Sequence, residues 1–141
     1  MREGRRIHGL HTVSVDEMIR GARHTDAICR VNFGIDVHST DPAKSKSHNA
    51  EDHVRTQPYD IPLRALVAKD VEGLLMAGRC ISGDFLAHSS YRVTGNAVAL
   101  GVAAGFSAAR SSQLQIQPSK LPFEAIAQEL TSDAPQPSLA G

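Results

Sequence analysis

The chain has 141 residues, enough for one domain, and its 41% apolar and 21% charged content is that of an ordinary globular protein. Fifteen basic residues balance fifteen acidic ones, so the sequence carries no global footprint for nucleic acid or an anionic membrane. Aromatic content of 4% without Trp excludes base-stacking platforms, and two cysteines, Cys29 and Cys80, give no disulfide framework and fit a reducing, cytoplasmic setting.

The opening MREGRRIHGL is charged where a signal peptide needs an apolar core. Its GRRIHGL portion reads as a short strand with Ile7 and Leu10 apolar, and so abrupt a start predicts further sequence upstream. In TVSVDEMIRGARHTDAICR, Ser14 precedes Glu17 by three residues, a capping-box spacing that starts a helix near Val15, and Gly21 ends or interrupts it. VNFGIDVHS is rich in β-formers and reads as a strand. The polar stretch from Ser39 to Gln57 lacks periodicity and is longer than most connections in compact domains, which marks a functional or mobile loop.

YDIPLRALV resumes as an extended segment in which Pro62 favours an edge or a bend. VEGLLMAG reads as a short buried strand, followed by a polar loop and then the clearest helix of the chain, GNAVALGVAAGFSAAR. Gly101 and Gly105 share a face of that helix, which predicts close packing against a sheet or a flat ligand. The apolar run over 97–106 is too short and too glycine-rich to span a membrane. A last amphipathic helix lies around PFEAIAQEL, and the Pro/Ser/Ala-rich tail after it reads as disordered.

Several groups could carry chemistry. His48 and His53 beside Glu51 and Asp52 admit a metal site or a solvated loop, but no H-x-x-x-H, HExxH or CxxC spacing occurs and no metal ligand is assigned. Ser89 and Ser90 follow His88, a weak hydrolase signal because adjacent residues seldom aim at one proton. Cys80 is either a thiol activated by Arg79 or a small residue at a strand end. The strongest feature is Gly78, a polar loop and a helix start after Gly95. Free backbone N–H groups at that start suit an anionic group, with Thr94 or Asn96 as cap, Asp84 as hydroxyl acceptor, and Arg79 and Arg92 as anion holders. The bland alternative makes Gly78 a tight turn and Arg92 a surface charge.

The segment YDIPLRALVAKDVEGLLMAGRCISGDFLAHSSYRVTGNAVALGVAAG resembles the C-terminal part of FAD-dependent oxidoreductases of the glutathione-reductase-like flavoprotein class. The AGR, AH-S, RV and ALG-AAG spacing carries the resemblance, and RRIHG…DAICRVNFGIDVHS extends it to roughly residues 2 to 111. It implies FAD as cofactor and an α/β fold, the C-terminal portion of a Rossmann-like FAD-binding domain joined to strands of a substrate-side sheet. By resemblance, Gly78 and Arg79 face the pyrophosphate and ribityl part, while Asp84 lies in the connecting loop. Arg92, Val93, Gly95, Asn96 and Ala97 lead into the helix that faces the flavin pyrimidine edge, where negative charge grows on reduction. His88 becomes the candidate for proton transfer or, alternatively, a supporting histidine held by the backbone, and His38 and Arg64 candidates for the substrate side. Asp84 and Phe85 stand where Thr and His are common, and Thr94-Gly95 where Met-Pro is common.

No GxGxxG occurs, so the phosphate cradle is expected from upstream sequence or from a partner, whether an N-terminal FAD-binding segment or a second copy. The implied organisation is a substrate-side segment over 1–57, the C-terminal part of the FAD-binding domain over 58–112, a terminal helix over 113–131 and the tail over 132–141. A chain holding pieces of two domains is expected to expose strand edges and to dissolve poorly alone. The expected function is that of an FAD-dependent oxidoreductase acting on a small molecule, with a non-catalytic remnant or binding module as the alternative.

Overall fold

A computed structural model of the chain describes residues 6–37 and 55–132. Most of the polar stretch over 39–57, with His38, His48 and His53, and the tail beyond 132 lie outside the described residues.

Helix α1 (Val15–Arg20) begins and ends as its sequence dictates. The Ser14 hydroxyl accepts from Glu17 N, the Glu17 carboxylate accepts from Ser14 N at 3.0 Å, and Gly21 closes the helix at φ 63°, donating to the carbonyls of Glu17 and Met18. A helix of six residues cannot stand alone. Tertiary bonds hold it: Asp84 accepts from Val15 N at 2.7 Å, and Gln57 N donates to Met18 O at 2.8 Å.

Strands β1 (Ala27–Val31) and β2 (Tyr59–Pro62) form a two-stranded antiparallel sheet with Val31 opposite Tyr59 and Arg30 opposite Asp60. All four β2 residues are buried, Asp60 included. Its carboxylate meets the guanidinium groups of Arg23 at 2.7 Å and Arg30 at 3.2 Å, and it accepts from His24 N, so the charge is not left unpaired. Pro62 ends β2, and a 3-10 turn over Leu63–Ala65 follows.

Beyond these elements the structure departs from three expected strands. Residues 6–10 make one bridge, Gly9 to Ala68, because the segment threads between two others: Ile7 N donates to Cys80 O and Leu10 N to Val67 O. The β-rich VNFGIDVHS loses its ladder partner at Val31, where β2 begins, and Phe33–Asp36 is instead held by side chains. VEGLLMAG pairs only Leu75 with Val67, since Gly73 at φ 72° and Gly78 at φ 62° bend the chain at both ends.

The polar loop also contains a helix. Asp84 accepts from Ala87 N at 2.7 Å and starts α2 (Phe85–Tyr91). The long helix α3 (Thr94–Leu114) follows at once, and α4 (Glu124–Ser132) packs on it. One core joins Val13, Met18 and Val31 from the first segment to Tyr59, Ile61, Ile81, Tyr91, Leu100 and Ala103 from the second. The described residues thus form a mixed helix and strand unit whose sheet has two strands, without the parallel Rossmann-like sheet expected of an intact flavoprotein domain. No helix among the described residues is long and apolar enough to cross a membrane.

Candidate cofactor-binding site

The start of α3 is set by what precedes it. Gly78 takes a left-handed conformation that L side chains rarely adopt, at the head of a 3-10 turn over Gly78–Cys80, and a Cβ there would stand 3.7 Å from the Ala97 Cβ. The turn therefore lies against the first turn of α3. Neither Thr94 nor Asn96 caps the helix; Val93 occupies the cap position in extended conformation with no side-chain cap bond. A 21-residue helix so begun directs its first N–H groups and the positive end of its dipole at whatever lies in front.

In front lies a groove of about 280 Å³ lined by Asp36, Arg79, Arg92, Val93 and Thr94. Arg92 is pinned there, donating to Asp36 O at 2.7 Å with its guanidinium 3.6 Å from the Asp36 carboxylate. Arg79 is exposed and makes no ion pair with any described residue, so its charge is available to a ligand. At Gly95 a Cβ would find nothing within 4 Å. Asn96 is half-buried; its Oδ1 lies 3.8 Å from the Cys29 sulfur, and its Nδ2 is buried without a hydrogen-bond partner among the described residues. Burial, reinforced by the Asp60 charge, pushes the Cys29 thiol up to about 11.

Among the expected site residues, Gly78, Arg79, Arg92, Val93, Gly95, Asn96 and Ala97 gather at this one end of α3. Asp84 and His88 do not line the groove. Both Asp84 oxygens are taken by backbone N–H groups, one at the start of α2 and one at the start of α1, so the residue ties two helices together. His88 is fully buried, its ring edge-on to Tyr91 with centroids 5.5 Å apart. Arg64 forms a two-pronged bond to Asp26 and lines a different cleft. Partial burial pushes the Asp26 carboxyl up, but the Arg64 bonds and charge outweigh it and hold it below its ordinary range.

Ser89 and Ser90 are committed to structure rather than to nucleophilic work. Ser89 accepts from Asp36 N at 3.3 Å, while Ser90 donates to Phe33 O and lies 3.0 Å from the Tyr59 hydroxyl. Together with Arg92 they hold Phe33–Asp36 beside the groove. Asp36 is thus the groove residue that sequence reasoning missed as a site member; its position in IDVH, between apolar neighbours, was the available signal. A larger cleft of about 470 Å³, lined by Ile7–Gly9, Ser82 and Gly83 among others, contains none of the expected site residues. Volume alone does not locate a site, and the α3 groove combines Arg79, which pairs with no described residue, with the open helix start.

A groove with two guanidinium groups, one carboxylate and an uncapped helix start favours an anionic or electron-rich partner. The chain matches the family of FAD-dependent oxidoreductases over residues 1–130, and it belongs to that family. Its cofactor is accordingly FAD. No curated protein and no solved structure gives a significant match.

Proposed function

We propose that this chain supplies the closing half of a flavin site of the glutathione-reductase-like class, with the start of α3 facing the flavin and Arg79 facing the pyrophosphate and ribityl part. The observation that carries this reading is the uncapped start of α3 opening on a groove that holds Arg79 and Arg92. Gly95, with open space around it, admits a ligand to the backbone N–H groups, and Asn96 Nδ2, which has no hydrogen-bond partner among the described residues, offers a donor. Bound FAD supplies the electron-transfer chemistry; the chain's own residues orient the cofactor and stabilise negative charge beside it. Asp84 and His88 act as supports for α2 rather than as cofactor ligand and proton carrier.

The groove is smaller than the ~300–1,000 Å³ typical of sites that enclose a drug-sized ligand, so it holds only part of FAD. The phosphate cradle, for which the sequence has no GxGxxG, comes from another segment or another chain that completes a Rossmann-like domain. That missing motif also favours the second reading, a binding module that retains these elements without holding FAD. Titration of FAD into the purified chain, followed by flavin fluorescence, separates the two. Saturable but weak binding is expected, and Arg79→Ala is expected to weaken it about tenfold, since a hydrogen bond to a charged group contributes roughly 1.5–3 kcal/mol. A chain that leaves flavin fluorescence unchanged at every concentration supports the binding module.

A further inference from the structure

Around α1, three potential metal ligands converge that the flavin site does not use. His11 precedes the helix, Glu17 lies in its first turn, and His24 follows the Gly21 cap. His11 Nε2 stands 3.0 Å from Glu17 Oε1, and His24 Nε2 stands 3.2 Å from the same oxygen. All three ligand atoms lie within 4.8 Å of one another. We propose that His11, Glu17 and His24 bind one divalent first-row transition ion of the Zn²⁺ class.

The local chemistry favours an ion over a plain hydrogen-bonded cluster. Glu17 is buried, 5% exposed, and a buried carboxylate requires compensation. Its Oε2 accepts from Ser14 N at 3.0 Å in the capping box and lies 3.2 Å from His11 Nε2, while Oε1 faces both imidazole nitrogens at once. Only His11 makes a well-directed hydrogen bond to the carboxylate; His24 Nε2 is buried and makes none despite the short separation. The two rings meet edge-on, with centroids 4.9 Å apart and planes at 70°.

Metal–ligand bonds of ~2.0–2.1 Å at a tetrahedral ion set ligand atoms about 3.3 Å apart. The two nitrogen–oxygen separations, 3.0 and 3.2 Å, are already close to that spacing. Two imidazoles and a carboxylate suit Zn²⁺ and its neighbours rather than Ca²⁺ or Mg²⁺, which take oxygen. His11 and His24 keep 21% and 14% of their side chains exposed, so water can complete the shell. The ion would staple three segments that the short α1 holds only weakly. The spacings from 11 to 17 and from 17 to 24 match no helical ligand motif because the Gly21 reversal, not helix periodicity, returns His24 to Glu17.

The test is equilibrium dialysis of the full chain against Zn²⁺, with Co²⁺ substitution to read coordination by visible absorption. One equivalent per chain is expected, with a Co²⁺ spectrum of low-symmetry four-coordination and a raised thermal unfolding midpoint. His11→Gln with His24→Gln is expected to weaken binding more than tenfold and to remove the Co²⁺ bands. Glu17→Gln keeps a neutral acceptor for Ser14 N, so it preserves the helix start while removing the anionic ligand, and is expected to weaken binding by a similar factor. Circular dichroism confirms that each variant is folded. Equal Zn²⁺ affinity and stoichiometry in the wild type and the double histidine variant, or no Zn²⁺ bound by the wild type, overturns the proposal.

Discussion

Around Gly83 the chain is packed until no Cβ fits, whereas along the outer face of α3 an added Cβ would meet nothing. A Cβ on Gly83 would stand 2.6 Å from the Tyr91 ring and hydroxyl, and Tyr91 is itself fixed, fully buried and donating to Ile81 O at 3.2 Å. At Gly101 and Gly105 nothing lies within 4 Å, and Val98 between them and Gly95 is 61% exposed. Ala103 of α3 packs into the core beside the sheet, but Gly101 and Gly105, whose shared face was expected to meet a sheet or a flat ligand, meet no described residue. They leave a flat apolar face open, while Leu100, Ala103, Ser107 and Ser111 form the buried side. Glycine serves opposite ends in the two places: in one it admits a neighbour that is present, in the other it leaves room.

The two cysteines read out the same contrast, with the largest effect. Cys29 lies beneath α3 and its thiol is pushed up to about 11 from an ordinary 9.0, whereas Cys80 is exposed. Two units leave about a hundredfold less thiolate near pH 8 than in a cysteine of ordinary pKa, and the thiolate is the reacting form. Alkylation followed by peptide mass spectrometry is expected to label Cys80 first and Cys29 at least about a hundredfold more slowly than an unperturbed thiol. The sign is that of a raised acid: the neutral thiol contributes stability fully below the ordinary value, and that contribution is lost as pH rises through about 11. Similar rates for the two cysteines in folded protein would show that the underside of α3 is open.

Gly83→Ala probes the packed side directly. The new methyl must displace the Tyr91 ring or the Val13–Gly83 bridge, and overpacking of this kind costs about 1–3 kcal/mol. A lower denaturation midpoint with an unchanged slope is the expected outcome of urea unfolding. An unaltered midpoint would mean that Tyr91 is free to move.

Local rules carried the sequence reading where one residue decides the backbone. The Ser14–Glu17 box, the Gly21 cap and the bend at Pro62 all stand as expected. The expected strands failed where pairing depends on a distant partner: β-formers at 31–37 find β2 only as far as Val31, and Leu74–Met76 is cut short by two left-handed glycines. Helix α2 was hidden because its residues, Phe85 to Tyr91, carry buried serines whose bonds to the 33–36 segment appear only in three dimensions. Seven of the expected site residues gather at one end of α3 because their order along the chain follows one turn and one helix start. Asp84 and His88 lie away from that groove, because polarity in a sequence does not say where in the fold a group will face.

Gly101→Ala tests the open side and has the smallest effect on stability, of opposite sign. Glycine inside a helix costs roughly 0.5–1 kcal/mol relative to alanine, through unfolded-state freedom and lower propensity. With nothing within 4 Å of the added Cβ, the substitution is expected to recover that amount and to raise the urea midpoint slightly. A face kept open for a flavin or for the segment that completes its site tolerates less. A bulky Gly101→Leu is therefore expected to leave the isolated fold intact while weakening FAD binding about tenfold or more, as misfitting groups at a close contact do. If both substitutions stabilise the chain and leave FAD binding unchanged, the outer face of α3 is ordinary solvent-exposed helix and the contrast with Gly83 has no bearing on the cofactor.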